Sequence, residues 1–159
     1  MACIQDQHTY TLTNCKGGTV LDLSGADNRS INGFHAHGGL NQSWIFQRDH
    51  SDGKNWYIKS ASSGDFLGME GHIDNIRDGT RVVAVSSPFR WNIENSDITG
   101  VRGIRILVHG TVFSVDLDDH GHSADGTKVQ LWGRCANQNQ IWVVKAAPSP
   151  LLSLSRSAS

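Results

Sequence analysis

The chain predicts an all-β fold in which three sequence repeats close around one shared core, and two observations carry that reading. First, a single pattern is written three times. Its fullest copy runs from Asp125-Gly-Thr-Lys-Val-Gln-Leu-Trp132 to Asn139-Gln-Ile-Trp142. The second runs from Asp78-Gly-Thr-Arg-Val82 to Phe89-Arg-Trp91, and the first from Asp27-Asn-Arg-Ser-Ile31 to Asn41-Gln-Ser-Trp44. Second, apolar residues recur in short alternating or paired runs broken by Gly, Asn, Asp and Ser, with no helical periodicity. Seventeen glycines against three prolines suit many tight turns.

Each repeat opens on an alternating apolar run: Tyr10/Leu12, Trp56/Ile58 and Ile104/Ile106. Twelve residues after each start the register reaches Asp22, Gly68 and Asp116, inside Val20-Leu-Asp-Leu23, Phe66-Leu-Gly-Met69 and Ser114-Val-Asp-Leu117. The closing tryptophans follow 22, 23 and 26 residues later, so the length variation falls in polar loops, where insertions are tolerated. A unit of about 45 residues cannot bury its own apolar face, so the three must share a core. Successive strands without crossover helices exclude a parallel α/β design. Residues 146–159, Ser-rich with two prolines, have no counterpart in the repeats and read as a flexible tail, leaving residues 1–145 as one domain.

A chain of 159 residues fits one domain whose core needs no disulfide or metal. The net charge of −1, without a basic run, argues against a nucleic-acid partner. No apolar stretch approaches the roughly 20 residues that span a bilayer. The N-terminus lacks the basic and apolar regions of a signal peptide, so a cytoplasmic location is expected. Cys3, Cys15 and Cys135 are too few and odd in number for a disulfide framework. Free thiols are expected, with a Cys15–Cys135 bridge as the alternative. Asn28-Arg-Ser30 and Asn41-Gln-Ser43 are glycosylation sequons, and Asn41 is also a candidate ligand-binding residue that a glycan would block. That conflict also favours a protein outside the secretory route.

Gln-x-Trp closing a repeat of this length resembles the ricin B-type lectins, as does an Asp inside a Val-Leu-Asp-Leu strand with an aromatic residue ahead of the closing motif. Gln42-Ser-Trp44 and Gln140-Ile-Trp142 match, and Phe89-Arg-Trp91 is a degenerate copy. The resemblance covers about residues 9–144. It is nearest to the small single-domain fungal members, whose Ile-x-Gly-aromatic variant appears as Ile31-Asn-Gly-Phe34. It implies a β-trefoil, with about four strands per repeat around a pseudo-threefold axis. The physics of the motif fits: the tryptophans supply apolar area at equivalent core positions, and the Gln amide both donates and accepts at a turn.

A shallow sugar site needs an aromatic ring against the sugar's C–H face, a carboxylate accepting from adjacent hydroxyls, and an amide donor. The first repeat offers Asp22, Phe34 and Asn41, and the third Asp116, Trp132 and Asn139. By resemblance these are contacts to galactose or N-acetylgalactosamine. Gln42 and Gln140 would hold the Asp or the loop in place. Asn32 and Gly33 beside Phe34, and Gln130 beside Trp132, complete the candidate carbohydrate-binding set. His37 flanks the first site as a donor to a hydroxyl or an extended glycan, and Arg134 is placed to reach a ligand in the third. Alternation points Val129 and Leu131 inward, Gln130 and Trp132 outward. In the second repeat Gly68, Val85, Pro88 and Phe89 replace every polar or stacking group, so that copy should bind no sugar.

Other chemistries are weakly written. His35-Ala-His37 and Asp118-Asp-His120-Gly-His122 lack any recognised metal spacing, so no metal or other cofactor is expected. No nucleophile or phosphate-loop motif appears, and Asp118 and Asp119 are expected to point to opposite faces of an extended segment, so no enzyme is expected. The expectation is a lectin for glycans, glycoproteins or glycolipids ending in galactose or N-acetylgalactosamine, serving as a defence agglutinin, with a homodimer as one arrangement open to it. A trefoil protease inhibitor acting through exposed loops is the alternative.

Overall fold

The computed structural model describes residues 3–148. Each repeat contributes four strands: β1 His8–Asn14, β2 Val20–Leu23, β3 Ile31–Phe34 and β4 Trp44–Arg48; β5 Asn55–Ser60, β6 Phe66–Met69, β7 Val82–Val85 and β8 Trp91–Asn95; β9 Ile104–Val108, β10 Phe113–Leu117, β11 Thr127–Gly133 and β12 Trp142–Ala146. The first and last strand of every repeat build a barrel. β1, β4, β5, β8, β9 and β12 pair antiparallel in that order, and β12 returns to β1. The inner strands form hairpins β2–β3, β6–β7 and β10–β11. These lie over one end of the barrel as a triangle, joined by the β3–β11 pairing and by bridges Ser30 to Val83 and Arg81 to Gln130. The fold is a β-trefoil. Closing the barrel removes the unpaired edges that six short strands would otherwise expose.

The sequence pattern explains the register. The residue that opens each run lies directly opposite the tryptophan that closes the repeat: Tyr10 opposite Trp44, Trp56 opposite Trp91, Ile104 opposite Trp142. All three closing tryptophans are fully buried, among Leu12, Ile58, Ile106 and their neighbours. A buried indole N–H needs an acceptor. Each donates to the carbonyl one residue before the register position found in the sequence: Trp44 to Leu21 (3.0 Å), Trp91 to Leu67 (2.9 Å) and Trp142 to Val115 (3.1 Å). The core residue thus fixes the strand that carries Asp22, Gly68 or Asp116.

Two expectations are corrected. Ala146 belongs to β12, opposite Tyr10, and the Ala147 N–H donates to the Thr9 carbonyl (3.0 Å), so the sheet extends past residue 145. The rest of the proposed tail, residues 149–159, lies outside the described residues. Asp118 and Asp119 are not extended: Asp118–Gly121 form one helical turn, α1, within which Asp119 and His120 are left-handed (both φ 53°). The three cysteines are free thiols, and no disulfide joins Cys15 to Cys135.

Candidate functional site

The two candidate carboxylates stand on β2 and β10, and both are enclosed: Asp22 is 5% and Asp116 4% exposed. A shallow site of the kind read from the sequence would leave its carboxylates open to solvent, and these two are packed away from it. All four residues of β2 are buried, because the hairpin is packed on both sides, and alternation alone could not reveal it.

A charged group so placed needs donors, and the repeat motif supplies them. Gln42 Nε2 donates to Asp22 Oδ2 (2.9 Å) and to the His35 carbonyl (2.8 Å), while its Oε1 accepts from the His37 N–H (3.0 Å). Gln140 does the same in the third repeat. Its Nε2 donates to Asp116 Oδ2 (3.0 Å) and to the Gly133 carbonyl (3.1 Å), and its Oε1 accepts from the Cys135 N–H (3.1 Å). Both glutamines thus hold the Asp and the loop together. The asparagines sit alongside. Asn41 Nδ2 donates to Asp22 Oδ2 (3.2 Å) and the Leu23 carbonyl (3.1 Å); Asn139 Nδ2 donates to the Leu117 carbonyl (3.0 Å).

Across the hairpin, Asn32 lies opposite Asp22 and Gln130 opposite Asp116. Alternation places Gln130 outward, and the structure corrects this. Gln130 is 4% exposed and donates from Nε2 to Asp116 Oδ1 (3.1 Å). Each Asp116 oxygen thereby receives one amide N–H and keeps lone-pair capacity for more. Trp132 is 42% exposed, as alternation predicts, and Phe34 is half-buried. The Phe34 ring centroid lies 4.7 Å from that of His35 and 5.9 Å from that of His37. Gly33 has a packing role: a Cβ there would meet Thr19 Oγ1 at 2.6 Å and Leu117 Cδ1 at 2.8 Å, at the junction of two hairpins.

Burial pushes both carboxyls above the ordinary carboxylate pKa. At Asp22 the bonds from Gln42 and Asn41 and the His37 ring pull the other way, and at Asp116 those from Gln140 and Gln130 do, while Asp118 adds to the upward push. His37 Nε2 is 3.9 Å from Asp22 Oδ2. Its Nδ1 accepts from the Gly39 N–H (3.0 Å), which leaves the ring proton on Nε2, toward the carboxylate.

Arg134 does not reach into the third site. Its guanidinium is held by Glu94 (2.8 Å) and Asp97 (3.1 Å). Asp97 also pairs with Arg105 (2.7 Å), a guanidinium 1% exposed that donates to Gln140 Oε1. Sequence reading missed Arg105 because nothing local marks it.

Sequence reading also missed a pair of clamps. Asp125, from the third repeat, accepts the N–H of His35 (2.7 Å), the residue after Phe34, and its other oxygen meets His35 Nδ1 (2.8 Å). Asp78, from the second repeat, accepts the N–H of Gly133 (2.7 Å), the residue after Trp132. Their counterpart Asp27 instead caps its own loop, accepting from Ser30 and Arg29, which lower its pKa to about 2. The recurring Asp of the repeat pattern was the available signal.

In the second repeat the site is filled. A Cβ at Gly68 would meet Val85 Cγ2 at 2.5 Å, so the valine side chain occupies the space a longer residue at 68 would need. Around Asp116 and Trp132, by contrast, opens a cleft of about 530 Å³ that reaches Asp118, Asp119 and His120. Among the described residues no group of three or more His, Cys, Asp or Glu is arranged to hold a metal ion.

This geometry can be set beside known proteins. The family described as ricin-type beta-trefoil lectin domain-like matches residues 3–85 and 40–132. The chain belongs to this lectin family. Among solved structures, the ricin B-like lectin of Macrolepiota procera, determined in complex with lactose, shares 42% identity at a TM-score of 0.84, over 91% of this chain and 99% of that one. The Rhizoctonia solani agglutinin shares 27% identity at a TM-score of 0.79, over 92% and 99%. A designed threefold-symmetric protein, ThreeFoil, is similar in fold alone, at 19% identity, a TM-score of 0.70, and coverage of 86% and 96%. No curated protein matches the chain in sequence. Within this ricin-type lectin, only the first and third hairpins carry the carboxylate and aromatic residue side by side.

Proposed function

We propose that the chain binds glycans ending in galactose or N-acetylgalactosamine, one in the first repeat and one in the third, and that it acts as a defence agglutinin. The observation that carries the reading is the contrast between repeats. Asp22 and Asp116 are buried charges held in place by Gln42 and Gln140 beside an aromatic ring, whereas Gly68 and Val85 close the second copy. A fold does not require a desolvated carboxylate at these positions, since Gly68 serves in the same role. Similarity to a lectin solved with lactose supports the ligand class.

In the third site the sugar's C–H face lies on Trp132. Two adjacent hydroxyls donate to the remaining lone pairs of Asp116, and Asn139, whose Nδ2 donates to the Leu117 carbonyl and also favours the charged Asp116, presents its amide beside them. In the first site both Asn41 amide hydrogens are engaged by Asp22 and Leu23. His37 Nε2–H is the donor there, with Phe34 as the platform. A protease inhibitor would need none of these matched groups.

Titration calorimetry with lactose should show about two weak sites, each between millimolar and tens of micromolar. Asp22→Ala and Asp116→Ala should each remove one site. Folding should survive both, at about 1 kcal/mol for Asp22→Ala and about 1–3 kcal/mol for Asp116→Ala, because Gln42 and Gln140 keep their backbone carbonyl partners while the buried Gln130 amide loses its one partner, Asp116. Agglutination should collapse in either variant, since surface binding multiplies weak affinities by roughly 10²–10⁴ only when both sites engage. Three equivalent sites, or galactoside binding by the double variant, would sink the proposal. Parallel titrations with galactose and N-acetylgalactosamine rank the two sugars.

A further inference from the structure

The two sites differ in the turn that comes after the carboxylate strand. After Leu23 the first repeat continues Ser24-Gly25-Ala26; after Leu117 the third continues Asp118-Asp119-His120. Both turns close on the same bond, the Asn28 N–H on the Ser24 carbonyl (2.9 Å) and the His122 N–H on the Asp118 carbonyl (3.2 Å), but the backbone between takes opposite hands. The carboxylate of the first turn, Asp27, is engaged by its own loop through Arg29 and Ser30, whereas the third turn brings Asp118 and Asp119 to the cleft. The third turn does so with three successive left-handed residues, Asp119, His120 and Gly121, a conformation that Asp and His enter more readily than most residues and glycine more readily still.

These groups line the same cleft as Asp116 and Trp132, whose volume of about 530 Å³ has room for a second sugar ring. Asn139, 5% exposed, also lines that cleft, and its Oδ1 has no hydrogen-bond partner. That is an independent sign that the cleft is completed by a ligand. Two cations stand nearby. Lys128 is 3.7 Å from Asp118, and the stem of Lys16 lies against Gly121 in an adjoining groove. Among the described residues Asp119 pairs with no cation.

We propose that the Asp118–Asp119–His120 turn makes the third site charge-selective. It takes galactosides whose second residue is neutral or cationic and rejects those whose second residue carries an anion, while the first site, built on Ser24 and Gly25, does not sort glycans in this way. The inference rests on the lectin reading and names the ligand class that its third site selects. The physical cause is repulsion in a half-enclosed cleft, where charges interact more strongly than in open water.

The test uses three lactose derivatives that leave galactose intact: lactitol, whose open-chain second residue is neutral; lactobionate, whose open-chain second residue is anionic; and 2-aminoethyl lactoside, whose second residue carries a cationic aminoethyl group. The Asp22→Ala chain isolates the third site and the Asp116→Ala chain isolates the first. At low ionic strength the third site should bind lactobionate roughly tenfold more weakly than lactitol, and the aminoethyl lactoside at least as tightly as lactitol. At the first site the lactitol-to-lactobionate ratio should be near one. Added salt should shrink the third-site ratio. Asp119→Asn, which keeps shape and tolerates the left-handed backbone, should bring it toward one, and Asp118→Asn with it should complete the change. A ratio near one at the third site, or a ratio that neither variant nor salt moves, overturns this proposal alone. Failure of lactitol to bind either site overturns the sugar-site reading and this proposal with it.

Discussion

The second and third repeats use the same backbone for opposite ends. In both, a closing tryptophan is fully buried and its indole bonds the carbonyl before the register position. At that position one has Gly68 under Val85, the other Asp116 beside Trp132. Scaffold and candidate site are therefore separable: the tryptophan serves the fold in every copy, and the fold of the second copy is completed without the Asp–aromatic set. The desolvated Asp116 is a cost to stability that Gly68 avoids.

The largest effect that separates the two roles is expected at the scaffold. Trp91→Ala should cost roughly 3–5 kcal/mol by denaturant unfolding, because it opens a cavity in the core. Lactose stoichiometry in the protein that remains folded should stay at two. A variant of normal stability would mean the second repeat contributes no shared core. Next comes the filled site. Gly68→Ala forces a Cβ onto Val85 and should cost about 1–3 kcal/mol, and Val85→Ala in the same chain should recover most of it. An additive pair of losses would show that Val85 is not what occupies the space.

The clamps sharpen the comparison further. Asp125→Ala should weaken lactose binding at the first site about three- to tenfold and leave the third unchanged, while Asp78→Ala should do the reverse. Asp27→Ala should alter neither affinity. Loss at the wrong site would disprove the cross-repeat assignment.

The smallest expected effect is in pH. Asp22 and Asp116 have raised pKa values, so as acid is added they protonate before ordinary carboxyls, and the charge-assisted acceptors proposed for the sugar hydroxyls are weakened to one neutral carbonyl each. Here the folded state binds the proton more tightly than the unfolded, so these two groups make the protein more stable, not less, as pH falls through their folded pKa values. Asp27, Asp97 and Asp125 have lowered values, and their contribution is lost only in stronger acid. Affinity measured down the acid range should therefore fall above the ordinary carboxylate pKa while circular dichroism still reports an intact fold. Coincident loss of both would contradict the sign of the shifts at the two site residues.

Much of this was legible in the sequence, for identifiable reasons. The pairing of Tyr10, Trp56 and Ile104 with the closing tryptophans is strict because a slip of one residue would turn every core side chain outward. The candidate site residues stood out because three copies align and one differs. What failed depends on contacts between repeats. Arg134 looks free until Glu94 and Asp97, from β8 and the loop after it, take its guanidinium. Gln130 looks outward until the hairpin folds it over Asp116. Asp118 and Asp119 look extended until α1 turns them toward the cleft. Arg105, one residue into a barrel strand, has no pattern at all and is recognisable only once Gln140 lies against it.

The clamps also give the molecule a direction of travel. Asp78 of the second repeat steadies the residue after Trp132 in the third, and Asp125 of the third steadies the residue after Phe34 in the first. Influence runs forward around the ring and across the seam where β12 meets β1. A map that charts each mutation by its place along the chain would therefore put the damage one repeat too early. Chains reopened at another loop, with the old ends fused, should keep both neighbourly contacts. A fragment lacking either end should lose the partnership that crosses the seam.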